Sequence, residues 1–325
     1  MIIFASLLAL VTMCTKSRET QSGTGGLVKQ PVSLADPFVL KHQGIYYLYG
    51  TSGSLTDEGI PVYTSTDGKN WQGPLGKAGK GLALIKGQVY GNKWFWAPEV
   101  FYRNNKFYMF YTAEEHIAVA TSDSPLGPFT QTEKKPLHDV KEIDPHVFVD
   151  DNGKSYLYFV RFANGNVTYG AELNDDWMSV KENSITPCIT QSQEWEVVSG
   201  TQWPVTEAPA MLKHKNLYYL FYTANDFRSP AYNVGYATAP SPLGPFTKYE
   251  GNPIIRKTGD LQGTGHCAFV MVGDSLTMYY HAHYSPQQVG PRRIVYSTCR
   301  FVAGNNGMDI LQVNEQKQLP MANNE

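Results

Sequence analysis

Asp36, Asp144 and Glu207 each open a short polar motif that runs straight into an aromatic segment. The segments read DPFVLKHQGIYYLYGT from Asp36, DPHVFVDDNGKSYLYFV from Asp144 and EAPAMLKHKNLYYLFYTAN from Glu207. Two more segments share the build but open without an acid: APEVFYRNNKFYMFYTA from Ala97, and GHCAFVMVGDSLTMYYHAH from Gly265, with His266 as its second residue. Three of the five copies thus put a carboxylate at the head of the repeated unit. Cleavage of a glycosidic bond needs an acid to protonate the departing oxygen and a carboxylate to activate water or attack the anomeric carbon. A third acid beside the proton donor raises the donor's pKa by like-charge repulsion, so an Asp, Asp, Glu trio supplies all three tasks. Asp before Pro is also a common turn device at a strand head, and Asp36 alone would be read that way. Turn chemistry gives no reason for the other copies to carry Ala97 and His266, so the differences between copies point to a site.

Such residues converge only if the repeats form a ring. IYYLYG (residues 45–50), KFYMFYTA (106–113), SYLYFVRF (155–162), LYYLFYTA (217–224) and RIVYSTCRF (293–301) are rich in aromatic and β-branched residues, as strands are. Turn dipeptides, DG at Asp67, NG at Asn152 and Asn164 and GN at Gly251, separate them, and no helical period persists. A second element, ATSDSPLGPFT (120–130), recurs as ATAPSPLGPFT (237–247), with a looser relative, YTSTDGKNWQGP, from Tyr63; each places an aromatic, Trp71, Phe129 or Phe246, to plug a core. The first motif recurs at intervals of roughly 45 to 65 residues, the period of a four-stranded propeller blade. Five copies imply an all-β, five-bladed β-propeller whose inner strands bring the motif heads to one end of a central channel.

The 325 residues are 42% apolar and 13% aromatic, with a net charge of −2, so a large core is available and no basic excess points to nucleic acid. The 21 Tyr and 6 Trp suit a protein that stacks flat, uncharged polar ligands such as sugars. MIIFASLLALVTMC at the N-terminus has the length of a signal-peptide core, and Cys14 followed by TKSRETQSGTGG resembles a lipoprotein processing site. Met13 before that Cys and the lack of a preceding Lys or Arg depart from the usual pattern, so a plain secretory signal is the alternative. The expected layout is a leader over 1–14, a linker over 15–30, one catalytic propeller over 31–313 and a tail over 314–325. Export to the periplasm, outer membrane or medium follows, with a lipid on Cys14 as a membrane anchor. Cys188, Cys267 and Cys299 have no close spacing and are expected as free thiols.

LADPFV around Asp36, WAPEV from Trp96, EIDPHVF around Asp144, VTEAPA around Glu207 and GTGHCAF around His266, in this order and spacing, resemble glycoside hydrolase family 43. The resemblance covers residues from about 30 to 313 and implies a five-bladed propeller that inverts anomeric configuration. It implies that Asp36 is the general base, Glu207 the general acid and Asp144 the residue that tunes and orients Glu207. By the same resemblance, His266 matches a position where relatives hold a calcium ion with one His and waters, although no cofactor is required. A His bonded to the acids through water is the competing account. Trp96, with Phe95, could wall a sugar pocket, with core packing as the alternative. Glu99 matches a position near the pocket that could bond sugar hydroxyls, or could face solvent. One of Arg292 and Arg293 would stand beside the acids, and alternation along a strand allows only one; Arg293 is favoured.

The expected function is an inverting hydrolase of plant-type polysaccharides or oligosaccharides, acting as a monomer. An α-L-arabinofuranosidase leads, because no additional β-sandwich domain is evident. A β-xylosidase, endo-arabinanase or galactosidase is the alternative within the family. A carbohydrate-binding propeller without catalysis is the alternative outside it.

Overall fold

The computed structural model describes residues 31–304 and 307–318. The leader, Cys14, the 15–30 linker and the end of the tail lie outside the described residues. Five antiparallel sheets follow one another along the chain. The first is β1 (Ala35–His42), β2 (Ile45–Thr51), β3 (Gly59–Ser65) and β4 (Leu82–Ile85); the second is β5 (Trp96–Arg103), β6 (Lys106–Ala113) and β7 (His116–Ser122). The third is β8 (Glu142–Val149), β9 (Ser155–Phe162), β10 (Asn166–Glu172) and β11 (Thr186–Ile189); the fourth is β12 (Thr206–His214), β13 (Leu217–Ala224), β14 (Asn233–Ala239) and β15 (Thr247–Lys248). The last is β16 (Gly265–Val272), β17 (Ser275–Ala282), β18 (Arg293–Ala303) and β19 (Asp309–Val313), with β20 (Lys317–Gln318) also paired to β18. The first strands of the blades pack in a closed circle, β1 on β5 and β16, β8 on β5 and β12, and β12 on β16. The expected five-bladed propeller is the observed fold.

Period-two alternation explains why the middle strands are apolar on both faces. Along β13, Tyr219 and Phe221 pack toward the fifth blade, while Tyr218, Leu220 and Tyr222 pack toward the third. The core is accordingly divided into one cluster per blade interface. Tyr49, Tyr158 and Tyr279 occupy equivalent places in β2, β9 and β17. Their hydroxyls donate to the carbonyls of Pro125 (2.5 Å), Pro242 (2.5 Å) and Gly68 (2.6 Å), each in the repeated turn of the next blade. The two repeated elements therefore latch onto one another. Trp71 and Phe129 are fully buried as expected, whereas Phe246 is only half-buried.

The circle closes between first and last blades, where Ile294 N–H donates to Val32 O at 3.0 Å and Gln318 pairs with Val295. The stretch read as a tail from 314 is thus in part a strand. Cys267 and Cys299 are buried and Cys188 half-buried, all free.

Candidate active site

Every inner strand carries a bulge at its head. Ala35 pairs with Thr51 and Phe38 with Tyr49, so three steps on β1 face two on β2, and β5, β8, β12 and β16 repeat this register shift. The residue inside each bulge is left-handed: Asp36 (φ 49°), Ala97 (43°), Asp144 (56°), Ala208 (55°) and His266 (53°). Backbone of this kind is costly for a residue with a Cβ and gathers at sites where a side chain must be re-aimed. This register corrects the expectation that the three carboxylates share one repeat position. Glu207 stands one residue ahead of the bulge, level with Ala35, Trp96, Ile143 and Gly265, and Ala208 is the true counterpart of Asp36 and Asp144.

The bulges are tied to the preceding blade by one repeated bond. Thr51, Thr112 and Thr223 accept the N–H of Ala97 (2.9 Å), Asp144 (3.1 Å) and His266 (2.9 Å) through their Oγ1 atoms. The matching positions of the other two blades are Val160 and His281. Val160 has no acceptor to offer, and the Asp144 carboxylate takes the Ala208 N–H instead, at 3.1 Å. Asp144 therefore fixes the backbone immediately after Glu207.

These substitutions surround a cleft of about 750 Å³ lined by Asp36, Asp144, Glu207, His266, Trp96 and Arg292, among others. Asp36 is 8% exposed, and Arg292 Nη1 and His281 Nδ1 each lie 3.2 Å from its Oδ1, with His266 Nδ1 at 3.3 Å. His281 is fully buried, and burial with Arg292 beside it pushes its pKa down to about 3, so it is neutral. Arg292 Nη1 lies 3.2 Å from His281 Nε2, and the Asp36 N–H donates to His281 Nδ1 at 3.2 Å, where three other blades offer a Thr Oγ1. Burial would raise the Asp36 pKa, but Arg292, His266 and His281 together hold it well below the usual carboxylate range.

Glu207 is biased the other way. Burial raises it to about 7, with Asp36 and Asp226 adding to the rise, against hydrogen bonds that lower it: Asn166 Nδ2 donates to Oε2 at 2.7 Å and Tyr232 OH to Oε1 at 2.9 Å. Asp144 is also raised, by burial and then by Glu207 and Asp36, so this pair retains a proton near neutral pH. Tyr232 reaches Glu207 because Gly265 is a glycine; a Cβ there would come within 2.3 Å of the Tyr232 ring.

The other expected residues divide. Trp96 lines the cleft, stacked on Trp94 at 5.6 Å and 14°, whereas Phe95 is fully buried core. Glu99 is not at the cleft. Three residues into its strand, it is 5% exposed and bound to His146 Nδ1 at 2.9 Å, facing neither sugar nor solvent. Arg292, not Arg293, stands beside Asp36; the Arg293 guanidinium donates to His283 O at 3.0 Å and Asp260 O at 3.3 Å. The opposite faces of adjacent residues account for the exchange. His266 turns Nδ1 toward Asp36 and, at 3.9 Å, Asp144. Among the described residues no group of three or more His, Cys, Asp or Glu is arranged to hold a metal ion. Calcium takes six to eight oxygen ligands, so a single imidazole does not fit it.

Sequence reasoning assigned no site role to Asn166, Trp203, Tyr232 or His281. For His281 a signal existed: YGTS, FYTA and FYTA in the first, second and fourth copies become YYHA in the fifth. The description "Glycosyl hydrolases family 43" belongs to a family model that matches residues 28–300. The chain belongs to this family. A relative, the arabinoxylan arabinofuranohydrolase of Bacillus subtilis (strain 168), is 27% identical, with 76% of this chain and 56% of the relative covered. The xylosidase/arabinosidase of Bacteroides ovatus is 25% identical, covering 76% of each. A solved structure named as an endo-1,4-beta-xylanase from Bacteroides thetaiotaomicron VPI-5482 superposes with a TM-score of 0.81 at 40% identity, covering 90% of this chain and 98% of that one. The chain spans about half the length of the first curated relatives it matches.

Proposed function

We propose that this family 43 protein is an inverting glycoside hydrolase that removes pentosyl groups from plant-type saccharides, with α-L-arabinofuranosides as the leading substrate. The observation that carries the proposal is the contrast between two carboxyls in one cleft: Asp36 faces Arg292, His266 and His281, whereas Glu207 meets the neutral donors Asn166 and Tyr232, which favours an ionised Asp36 and a proton on the Asp144–Glu207 pair. Asp36 accepts a proton from a water whose oxygen attacks the anomeric carbon. As the bond from that carbon to the leaving oxygen breaks, its electron pair goes to the oxygen and Glu207 delivers the proton there. Asp144 positions Glu207 through the Ala208 N–H.

The arabinofuranohydrolase relatives support arabinose. The structural relative named as a β-xylanase favours a β-xyloside as the second reading. Nitrophenyl α-L-arabinofuranoside, β-D-xyloside and β-D-galactofuranoside, followed by proton NMR of the first-formed anomer, test substrate and stereochemistry together. Inverted arabinose is expected, with kcat/KM falling as pH rises past about 7 and Glu207 ionises. Asp36→Ala and Glu207→Ala should each lower kcat by roughly 10²–10⁴ without unfolding the protein. Near wild-type turnover in either variant overturns the roles, and no turnover of any substrate by wild type favours a binding propeller.

The proposal extends to a monomer exported through its apolar leader, with a lipid on Cys14; loss of palmitate labelling in Cys14→Ala checks the anchor. Chelation by EGTA is expected to leave turnover unchanged. A loss restored by calcium would give His266 a metal-binding role.

A further inference from the structure

The loop between β11 and β12 brings Trp203 to the rim of the cleft, where it is 48% exposed. The loop is held at both ends. At its start the buried Glu196 carboxylate accepts from the N–H groups of Ser192 (2.6 Å) and Gln193 (2.8 Å), from Tyr222 OH (2.5 Å) and from Lys248 Nζ (2.5 Å). At its end Asn166 N–H donates to Pro204 O at 2.8 Å and Thr206 Oγ1 donates to Asn166 O at 3.0 Å. Gly165 permits that approach, since a Cβ there would sit 2.6 Å from Pro204 O. Trp203 is therefore an exposed ring on a fixed backbone.

Its indole N–H donates to Asn166 Oδ1 at 2.8 Å. An indole nitrogen can only donate, so the amide oxygen must face Trp203, and the amide Nδ2–H is thereby aimed at Glu207 Oε2, 2.7 Å away. The orientation of the Asn166 amide is decided by Trp203. A flat, half-exposed indole is also the surface on which the C–H face of a sugar ring packs. The group that leaves must lie beside the residue that protonates its oxygen, and Trp203 is one amide removed from Glu207.

We propose that Trp203 is the platform for the leaving-group saccharide and, through Asn166, a positioning residue for Glu207; the inference rests on the glycosidase reading above. The ligand class is a saccharide ring on the reducing side of the cleaved bond. Ring recognition and acid positioning are then joined in one side chain, and two substitutions separate them. Trp203→Ala removes both roles, whereas Trp203→Phe keeps a ring and loses the N–H.

The deciding measurement is the titration of the Glu207 carboxyl carbon by ¹³C NMR, with kinetics alongside. In Trp203→Phe the freed amide can turn its oxygen to accept the acid's proton, so Glu207 is expected to titrate at higher pH than in wild type. Asn166→Ala should shift it in the same direction, and adding Trp203→Phe to Asn166→Ala should shift it no further. Trp203→Ala should lower kcat/KM for a pentosyl oligosaccharide by up to about tenfold more than for the matching pentosyl fluoride, whose leaving group has no ring. An unmoved titration in Trp203→Phe, additive shifts, or equal losses on the two substrates would overturn the inference. Wild-type protein that turns over neither substrate overturns the glycosidase reading instead. The titration needs no turnover and decides the link to Glu207 by itself.

Discussion

Asp36 and Glu207 differ less in burial than in what surrounds them. Asp36 meets Arg292, His266 and His281, while Glu207 meets only neutral donors, Asn166 and Tyr232. That difference has a thermodynamic signature. Glu207 is raised from an ordinary 4.5 to about 7, so between those values the folded protein holds a proton that the unfolded chain has released. Stability contributed by the protonated state is full below about pH 4.5 and is lost as pH rises to about 7. Glu207→Gln cannot ionise and should therefore raise the urea midpoint at pH 8 but not at pH 4. Equal shifts at both pH values would contradict the assignment. The acids were legible because they break a repeat. Asn166 and Trp203 were not, because they act through contacts between a strand end and a loop, which leave no period in the sequence. Arg292 was half legible: alternation showed that one of two arginines faces the acids but not which, since that depends on where β18 begins.

At the scale of elements, the bulge and the tyrosine latch are the repeated devices. The latch is absent where the sequence has Phe: Phe110 packs on Trp177 of the next blade with ring centroids 6.2 Å apart, and Phe221 on Phe269 at 4.6 Å. Tyr158→Phe removes one hydroxyl and leaves the Pro242 carbonyl without its donor, so a loss of about 1–2 kcal/mol is expected in thermal unfolding. Turnover by that variant should change little, since Tyr158 does not line the cleft. A loss of activity at unchanged stability would show that the latch serves the site rather than the interface. The sequence carried both halves of this device, the aromatic strand and the SPLGPF turn, but their pairing crosses from one blade to the next and appears only in three dimensions.

For the whole molecule, strand signals and repeat period sufficed to count the blades, because each blade is one unit of sequence. The closing contact was less legible. A two-residue strand such as Lys317–Gln318 has no periodicity to detect, and residues from 314 were read as tail. Yet Val32 and Gln318 meet neighbouring residues, Ile294 and Val295, of a single strand. The first and last described residues of the ring thus lie side by side, and the order in which the blades are written in the gene is not dictated by their packing. A circular permutant that joins residue 31 to residue 318 through a short linker and opens at the exposed Asp151–Gly153 turn should fold to the same ring, with the same circular dichroism and an intact cleft. Collapse of that permutant would mean that the N-terminal blade must form first to template the others.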